Sequence, residues 1–257
     1  MKIVEGDVYS SSNYGDVEVI EYISSVNIKI RFINTSSVIN TNSSSIRKGS
    51  LRDFNQPNVY GKGYFGYGKY VSKVDGKHTI NYSKWRSMIQ RCYSDRRPIT
   101  YKECHVCGEW LNFQVFSDWF FATYPKEGDL SFELDKDVKS NPDKIYSPDT
   151  CTWLTSKLNS ILTERTNDRG KEPLGVFRNP DGSYQAQLSK GNGKGSYSLG
   201  RFGDRFSAFK AYKVGKENYI KEQACLVKDI LPKDAYEALI VYSIVDDSPH
   251  KAHLYID

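Results

Sequence analysis

The amino-acid sequence predicts an α+β protein built from several modules. Three patterns support this: alternating apolar and polar residues over 1–60, two amphipathic helical patterns ahead of a strand-loop-strand-helix order, and three short strands followed by a helix near 173–226. The length of 257 residues also exceeds what one small domain needs. We therefore expect an N-terminal small β-barrel, a central unit with flanking helices, and a C-terminal three-stranded antiparallel sheet packed on a helix.

Turn signals and composition set the expected bounds of these modules. The run from Tyr60 to Tyr70 is rich in Gly and aromatic residues, which favours a structural connector, although such a run could also lie along a nucleic acid. We assign residues 1–60 to the β-barrel, 61–82 to a linker, 83–164 to the central module, 165–227 to the sheet-plus-helix module, and 228–257 to a packing helix and tail.

Basic residues concentrate in the C-terminal half. The whole chain has 36 Lys and Arg against 31 Asp and Glu, but between Arg165 and Gln223 twelve basic residues accompany six acidic ones, a net charge of +6. Such a segment suits a polyanionic partner. No apolar run approaches the roughly 20 residues that cross a bilayer, and the N-terminus has no signal-peptide stretch. We expect no membrane association and a cytoplasmic location.

Two segments carry the apolar spacing of amphipathic helices. Ser83 is expected to cap the first, in which Trp85, Met88 and Cys92 fall on one face. A second helix is expected at residues 112–124, and its aromatic face suits core packing better than base stacking. Both helices should therefore belong to a packed core.

A strand, a loop, a second strand and a helix follow these helices. Residues 133–138 alternate like a strand, Asn141-Pro142-Asp143-Lys144 forms a turn signal, and residues 150–155 fit a return strand. Ser156 is then expected to cap a short helix that ends at Leu162. This order is that of a ββα-metal finger.

Four ordered signatures lie between about residues 83 and 162. They are Arg91-Cys92-Tyr93, Val106-Cys107-Gly108-Glu109-Trp110, Leu134-Asp135-Lys136-Asp137 and Tyr146-Ser147-Pro148-Asp149-Thr150-Cys151-Thr152-Trp153. Their combination resembles phage and prophage HNH endonucleases. The resemblance implies a metal-dependent DNA endonuclease, in which a carboxylate and an amide hold one divalent cation, Mg²⁺ or Mn²⁺, and a His activates water.

The resemblance assigns roles to individual residues. By position, Asp135 would be the carboxylate metal ligand, Asn159 the helix residue of the site, and Asp137 a neighbouring or alternative ligand. Lys136 stands where the family has its catalytic His, and this departs from the pattern. A protonated lysine could clamp a phosphate, but it acts as a base only if its pKa is lowered. Charges on an exposed strand face are the alternative interpretation of the two aspartates.

The cysteines suggest a second metal site. Cys92, Cys104, Cys107 and Cys151 flank the central strands and could hold a structural Zn²⁺, although only Cys104 and Cys107 have ligand spacing. Cys92 on an apolar helix face and Cys151 in a strand also occupy ordinary positions for buried cysteine. Both interpretations stay open at this stage.

The C-terminal segment carries its own ordered motif. Its parts are Gly175-Val176-Phe177, Gly182-Ser183-Tyr184-Gln185-Ala186-Gln187, Ser198-Leu199-Gly200-Arg201-Phe202 and Ala208-Phe209-Lys210-Ala211-Tyr212. Over about 50 residues this motif resembles the plant ethylene-response-factor DNA-binding domain, which recurs in phage homing endonucleases. The resemblance implies a three-stranded sheet that lies in the major groove of double-stranded DNA.

Alternation in the second strand provides a separate argument. Tyr184, Ala186 and Leu188 share one face, so Gln185 and Gln187 point to the other. Gln and Arg can pair with base edges, whereas Lys mainly neutralises phosphate. A solvated polar face is the alternative. The candidate DNA contacts are Arg178, Gln185, Gln187, Lys190, Lys194 and Arg201.

Two principal function hypotheses follow. The first is a metal-dependent DNA endonuclease of the phage homing type, which hydrolyses or nicks phosphodiester bonds at a site chosen by the C-terminal module. The second is a catalytically inactive DNA-binding or regulatory phage protein on a nuclease scaffold. Either would act in the cytoplasm of an infected bacterial host. In a third hypothesis the N-terminal barrel docks a phage or host protein, whose identity the residues do not indicate.

Overall fold

The protein mixes helices with several small sheets, which confirms the mixed class expected from the sequence. The computed structural model describes residues 2–126, 130–139, 143–163 and 172–244. Helix accounts for 33% and strand for 26%, and no closed barrel occurs in these residues. The chain divides into two compact units, Met1–Ala122 and Thr123–Asp257. This division falls inside the segment 83–164 that we assigned to the central module.

The N-terminal sheet is an open antiparallel meander, so the expectation of a closed β-barrel was wrong. Its strands are β1 (Val8–Ser11), β2 (Gly15–Ser24), β3 (Asn27–Phe32) and β4 (Val38–Thr41), in the order β1-β2-β3-β4. A barrel would need β1 to pair with β4. After β4 the chain instead enters helix α1 (Ser43–Arg47), and Ile46 of this helix packs with Val19, Ile30 and Phe32 of the sheet.

Two longer helices follow in the first unit. Its remaining elements are β5 (Lys73–Val74), β6 (Lys77–His78), α2 (Ile80–Tyr93), β7 (His105–Val106), α3 (Phe113–Thr123) and short 3-10 turns at Ile99–Tyr101 and Glu109–Leu111. Trp85, Met88 and Cys92 are buried, which confirms the predicted face of α2. Ser83 lies inside this helix, where its hydroxyl donates to the Thr79 carbonyl, so α2 begins three residues before the predicted cap.

Part of the predicted linker packs against α2. The ring of Phe65 is stacked on that of Tyr82 with centroids 5.7 Å apart, and it also contacts Trp85. A Cβ at Gly63 would lie 2.9 Å from the Trp85 ring, so the absence of a side chain allows this close approach. The Gly-rich aromatic run therefore contributes to the core of the first unit.

The second unit begins with a small hairpin and a helix. Its elements are β8 (Phe132–Asp135), β9 (Ile145–Tyr146), β10 (Thr152–Thr155) and α4 (Ser156–Leu162). β8 and β10 are antiparallel, with Leu134 opposite Trp153. The side chain of Thr155, and not that of the expected Ser156, caps α4 by accepting the Leu158 N–H. The predicted strand-strand-helix order is thus present.

The C-terminal sheet packs on a long helix, as the sequence predicts. Its elements are β11 (Val176–Arg178), β12 (Tyr184–Ser189), β13 (Ser196–Phe202), α5 (Arg205–Leu226), α6 (Lys233–Ile240) and a 3-10 turn at Lys228–Ile230. The antiparallel order is β11-β12-β13. Val176 and Ala186 of the sheet form a core with Ala208 and Tyr212 of α5. Small residues on α5 allow the helix to approach closely.

Several sequence predictions fall outside the described residues. They concern Asn141 and Pro142 of the predicted turn, Arg165, Arg169 and Lys171 of the basic segment, and the tail 245–257. Among the helices that the structure describes, none is both long enough and apolar enough to cross a bilayer.

Candidate nucleic-acid interface and nuclease centre

The C-terminal sheet has a polar face that points away from α5, here called the outer face. Gln185 and Gln187 of β12 project from it, because the residues between and beside them, including Ala186, pack towards α5. Arg201 lies opposite Gln185, and Ser198 lies opposite Gln187. The predicted alternation of β12 is therefore confirmed, and its two glutamines meet two polar residues of β13 on one surface.

A bulge in β13 maintains this arrangement. Ala186 pairs with Gly200 but Gln187 pairs with Ser198, so Leu199 is an extra residue in β13. Leu199 packs towards α5, where a Cβ on Gly215 would lie 2.8 Å from its side chain. The bulge thus puts Ser198 and Arg201 on the outer face although three positions separate them.

Hydrogen bonds fix the orientation of the outer-face side chains. Arg201 donates from Nη2 to Asp181 Oδ2 at 2.9 Å and to Ser183 Oγ at 3.2 Å. Gln185 Nε2 donates to Ser198 Oγ at 3.2 Å. The hydroxyl and backbone N–H of Ser183, together with Arg201, hold the pKa of Asp181 below its usual value. Asp181 is therefore ionised at neutral pH and keeps Arg201 paired.

The hairpin tip between β12 and β13 carries the two predicted lysine contacts. Lys194 is exposed, and Lys190 Nζ lies 4.4 Å from the centre of the Tyr197 ring. The backbone N–H of Asn192 donates to Ser160 Oγ of α4 at 2.8 Å. The tip therefore joins the sheet to the helix that follows the central strands.

Arg178 does not share the outer face. It lies opposite Tyr184 in the register of β11 with β12, whereas its neighbour Phe177 lies opposite Gln185. Phe177 is 54% exposed, so an aromatic ring that we did not single out accompanies the polar residues. The register of β11 with β12 places Phe177 on the outer face. This could not be read from β11 alone, because a strand of three residues is too short to show its own alternation.

Asp135 ends β8 and forms a turn with its own side chain. Its Oδ1 accepts the backbone N–H of Asp137 at 2.9 Å and that of Val138 at 2.8 Å. These bonds explain why the strand stops at Asp135 and not near 138 as expected. Burial raises the pKa of Asp135 above its ordinary value, against the effect of both N–H groups. The carboxylate is therefore a partly buried group at a strand end.

Lys136 is buried next to this carboxylate, with only 5% of its surface exposed. Its Nζ donates to Oδ1 of Asp137 and lies 5.7 Å from the centre of the Tyr146 ring. The side chain of Asp137 is exposed. Position 136 therefore holds a buried lysine whose amine is engaged with a carboxylate.

A further acidic residue lies near the start of β10. Thr152, the partner of Asp135 across the hairpin, donates from Oγ1 to Asp234 Oδ1 at 2.9 Å. Lys139 donates to the other oxygen of Asp234 at 3.0 Å. Sequence spacing does not reveal Asp234 as a neighbour of these residues, because it lies about 80 positions further along the chain, in the first turn of α6.

Asp135 has a carboxylate oxygen of the type that binds hard divalent cations, but the described residues do not assemble a full ligand group around it. Its Oδ2 accepts no hydrogen bond within the described residues, and no bond there joins the Asn159 side chain to either aspartate. Carboxylate and amide oxygens are the ligand type that Mg²⁺ and Mn²⁺ prefer, and Mg²⁺ often uses only one or two carboxylates. In the described part of the chain no three His, Cys, Asp or Glu side chains form a group able to hold a metal.

The predicted zinc ligands occupy both units. Cys92 and Cys104 are buried and Cys107 is half-buried in the first unit, whereas Cys151 is buried in the second. Burial raises the pKa of the Cys151 thiol to about 12. A metal-binding cysteine must be a thiolate, so binding Zn²⁺ would have to displace this proton. Structural zinc stays a prediction.

The two resemblances, over residues 83–162 and over the C-terminal motif, concern the HNH endonucleases and the ethylene-response-factor domain. Neither establishes a family for this chain. Comparisons with protein-family models, with curated proteins and with solved structures found no match.

Proposed function

We propose that this protein binds double-stranded DNA through the outer face of its C-terminal sheet. The observation that carries the proposal is the set on the outer face formed by the half-buried Gln185 and Gln187 and the exposed Arg201, with the exposed Lys194 at the hairpin tip. Gln pairs with adenine and Arg with guanine through two hydrogen bonds each, and a β-sheet can enter the major groove. Lys194 would neutralise a phosphate beside the groove.

We further propose that the central strands act on the bound DNA as a metal-dependent phosphodiesterase of the homing-endonuclease type. Asp135, Asp137 and Asn159 would hold Mg²⁺ or Mn²⁺ with their oxygen atoms. When bound, the cation offsets the charge that develops on the scissile phosphate and the leaving oxygen. Two backbone N–H groups orient Asp135, and Lys136 orients Asp137 through its hydrogen bond.

A specific observation favours the second candidate function, DNA binding without cleavage. Lys136 replaces the family's His, and its amine donates to Asp137. A nitrogen engaged in this way is not available to remove a proton from water. Under this alternative the nuclease scaffold positions the C-terminal sheet on DNA and has no chemistry of its own.

A cleavage assay separates the two candidates. Purified protein and its Asp135→Ala variant are incubated with supercoiled phage DNA and Mg²⁺, Mn²⁺ or a chelator, and the products are resolved by gel electrophoresis. Nicked or linear product that needs metal and Asp135 establishes the endonuclease. DNA that is shifted but intact establishes binding alone. The exposed Asp229 supplies the matched control, because Asp229→Ala removes a carboxylate outside the site.

A further inference from the structure

The first unit has a cleft that neither proposed activity uses. It lies between the turn at residues 58–63 and helix α2 and has a volume of about 400 Å³. Ligand pockets range from roughly 300 to 1,000 Å³, so the cleft has room for a small ring system with a substituent. Its walls are formed by Asn58, Val59, Tyr60, Phe65, Tyr82 and Arg86.

A tight turn places Tyr60 at the edge of this cleft. The N–H of Val59 donates to the Gly63 carbonyl at 2.9 Å, and the N–H of Gly63 donates back at the same distance. Between them Tyr60 adopts a φ of +52°, an unusual value for a residue other than glycine. The turn is therefore held by its hydrogen bonds in a conformation that Tyr60 would not favour by itself.

Aromatic rings and one positive charge line the cleft. Phe65 and Tyr82 are stacked with an interplanar angle of 11°. The guanidinium carbon of Arg86 lies 5.3 Å from the centre of the Tyr60 ring. Among the lining residues only Arg86 carries a full charge, and it is exposed. The cleft therefore combines flat apolar surfaces with a site for an anion.

The hydroxyl of Tyr82 is a hydrogen-bond donor at the cleft. This residue is only 7% exposed, yet its hydroxyl has no hydrogen-bond partner among the described residues. Burial raises the pKa of Tyr82, and the nearby positive charge of Arg86 opposes this rise. The hydroxyl oxygen is not one of the fully buried polar atoms that lack a partner, so water can reach it through the cleft, and a ligand that accepts a hydrogen bond here would replace this water.

We propose that this cleft binds a single nucleotide whose base is unpaired. The base would stack against Tyr60 and the guanidinium plane of Arg86, its phosphate would pair with the charge of Arg86, and the Tyr82 hydroxyl would donate to an oxygen of the base or sugar. The inference rests on the proposed DNA function where the nucleotide belongs to the bound strand. A free deoxynucleoside monophosphate has the same chemistry and is the other source.

Two fluorescence titrations of the full chain test the proposal. One uses the deoxyribonucleoside monophosphate of 2-aminopurine, and the other compares a duplex that carries one unpaired 2-aminopurine with the fully paired duplex. We expect the bulged duplex to bind about tenfold more tightly than the paired one, which corresponds to stacking of one base. Arg86→Met should remove this preference and leave the affinity for the paired duplex unchanged.

Two variants keep the result interpretable. Tyr82→Phe retains the ring and should weaken nucleotide binding by several-fold without loss of stability, because the hydroxyl has no partner to lose. Arg96→Met removes an exposed positive charge from the same unit outside the cleft. It should leave the preference for the duplex with the unpaired base unchanged.

The two arms distinguish failure of this inference from failure of the proposed DNA function. Monophosphate binding that Arg86→Met abolishes, without any duplex binding, supports the cleft with a free nucleotide as its ligand and contradicts the proposed DNA function. Equal binding of bulged and paired duplexes together with no monophosphate binding overturns the inference but leaves the DNA function standing. A bulge preference that survives Arg86→Met also overturns it.

Discussion

Asp181 holds Arg201 at the edge of the outer face, with 2.9 Å between Oδ2 of the aspartate and Nη2 of the arginine. Both side chains are about 60% exposed, so solvent screens the pair and its energy is small. In the proposed complex Asp181 competes with a base or a phosphate for the Nη2 group of Arg201. The pair would therefore weaken the proposed DNA binding slightly, and Asp181 adds a negative charge near the proposed interface.

Asp181→Asn should strengthen DNA binding. The amide removes the charge but can still accept hydrogen bonds from Ser183 within the turn. The expected gain in duplex affinity is up to about fivefold, the range given by exposed ion pairs of about 0.2–1 kcal/mol. Fluorescence anisotropy at fixed salt measures it. Weaker binding by the variant would contradict a role for Arg201 at the interface.

Gly175→Ala should destabilise the second unit. Gly175 has a φ of +71°, and a Cβ there would lie 2.0 Å from Cδ2 of Tyr212. Backbone strain and overpacking together should lower the free energy of unfolding by about 2–4 kcal/mol, measured by urea denaturation. Gly182 is the matched control: its φ is +85° but nothing lies within 4 Å. Gly182→Ala should cost only about 1–2 kcal/mol. Equal losses would contradict the close packing of Tyr212.

Asp135→Asn should change the pH dependence of stability. Burial raises the pKa of Asp135 from its ordinary 3.8, so the folded protein keeps this proton to higher pH than the unfolded chain does. The associated stability is fully present below about pH 3.8 and is lost as pH rises through the folded pKa. The variant keeps an oxygen for both backbone N–H groups and has no such loss. With chelator present, its stability relative to the wild type should therefore increase from acid to neutral pH.

If Asp135 is a metal ligand, adding metal should stabilise the wild type more than the Asp135→Asn variant. Mn²⁺ at 100 times its dissociation constant would stabilise the wild type by about 2.7 kcal/mol, and the variant by much less. Thermal unfolding at neutral pH with and without Mn²⁺ measures the difference. Identical Mn²⁺ effects on both proteins would remove Asp135 from the set of metal ligands.

The cysteines should differ strongly in reactivity. Cys225 is exposed, whereas Cys151 is buried and its thiol has a pKa of about 12. The thiolate is the reactive form, so an alkylating reagent at pH 8 should modify Cys225 first and Cys151 only after unfolding. Mass spectrometry of the digested protein identifies the modified sites. Rapid labelling of Cys151 in the folded protein would contradict its burial.

The sequence predicted best those elements in which one face is buried. In β12, a shift of one residue would expose Ala186 and bury Gln185, so alternation and packing select the same register. The same reason explains the correct face of α2. The prediction of a closed barrel was wrong because closure depends on pairing between β1 and β4. These strands are distant in sequence, and their alternation is equally compatible with an open sheet.

The details of both sites depended on contacts that periodicity does not contain. Asp135 ends its strand through bonds from its own side chain to the backbone, and Asp234 reaches Thr152 from α6. The cleft depends on the turn around Tyr60 and on the packing of Phe65. A Gly-rich aromatic run has the composition of a linker, so its sequence alone favoured a connector.

DNA binding by the outer face is tested most directly by comparing two sets of variants in one anisotropy titration. The triple variant Gln185→Ala, Gln187→Ala, Arg201→Ala removes the outer-face contacts. Arg178→Ala removes an exposed arginine of the same sheet that does not lie on the outer face. We predict that the triple variant loses at least about tenfold in affinity for duplex DNA at constant salt, since each base contact contributes about 1–3 kcal/mol, and that Arg178→Ala binds nearly as tightly as the wild type. Equal affinities for the triple variant and the wild type, or a larger loss for Arg178→Ala, would contradict the proposal.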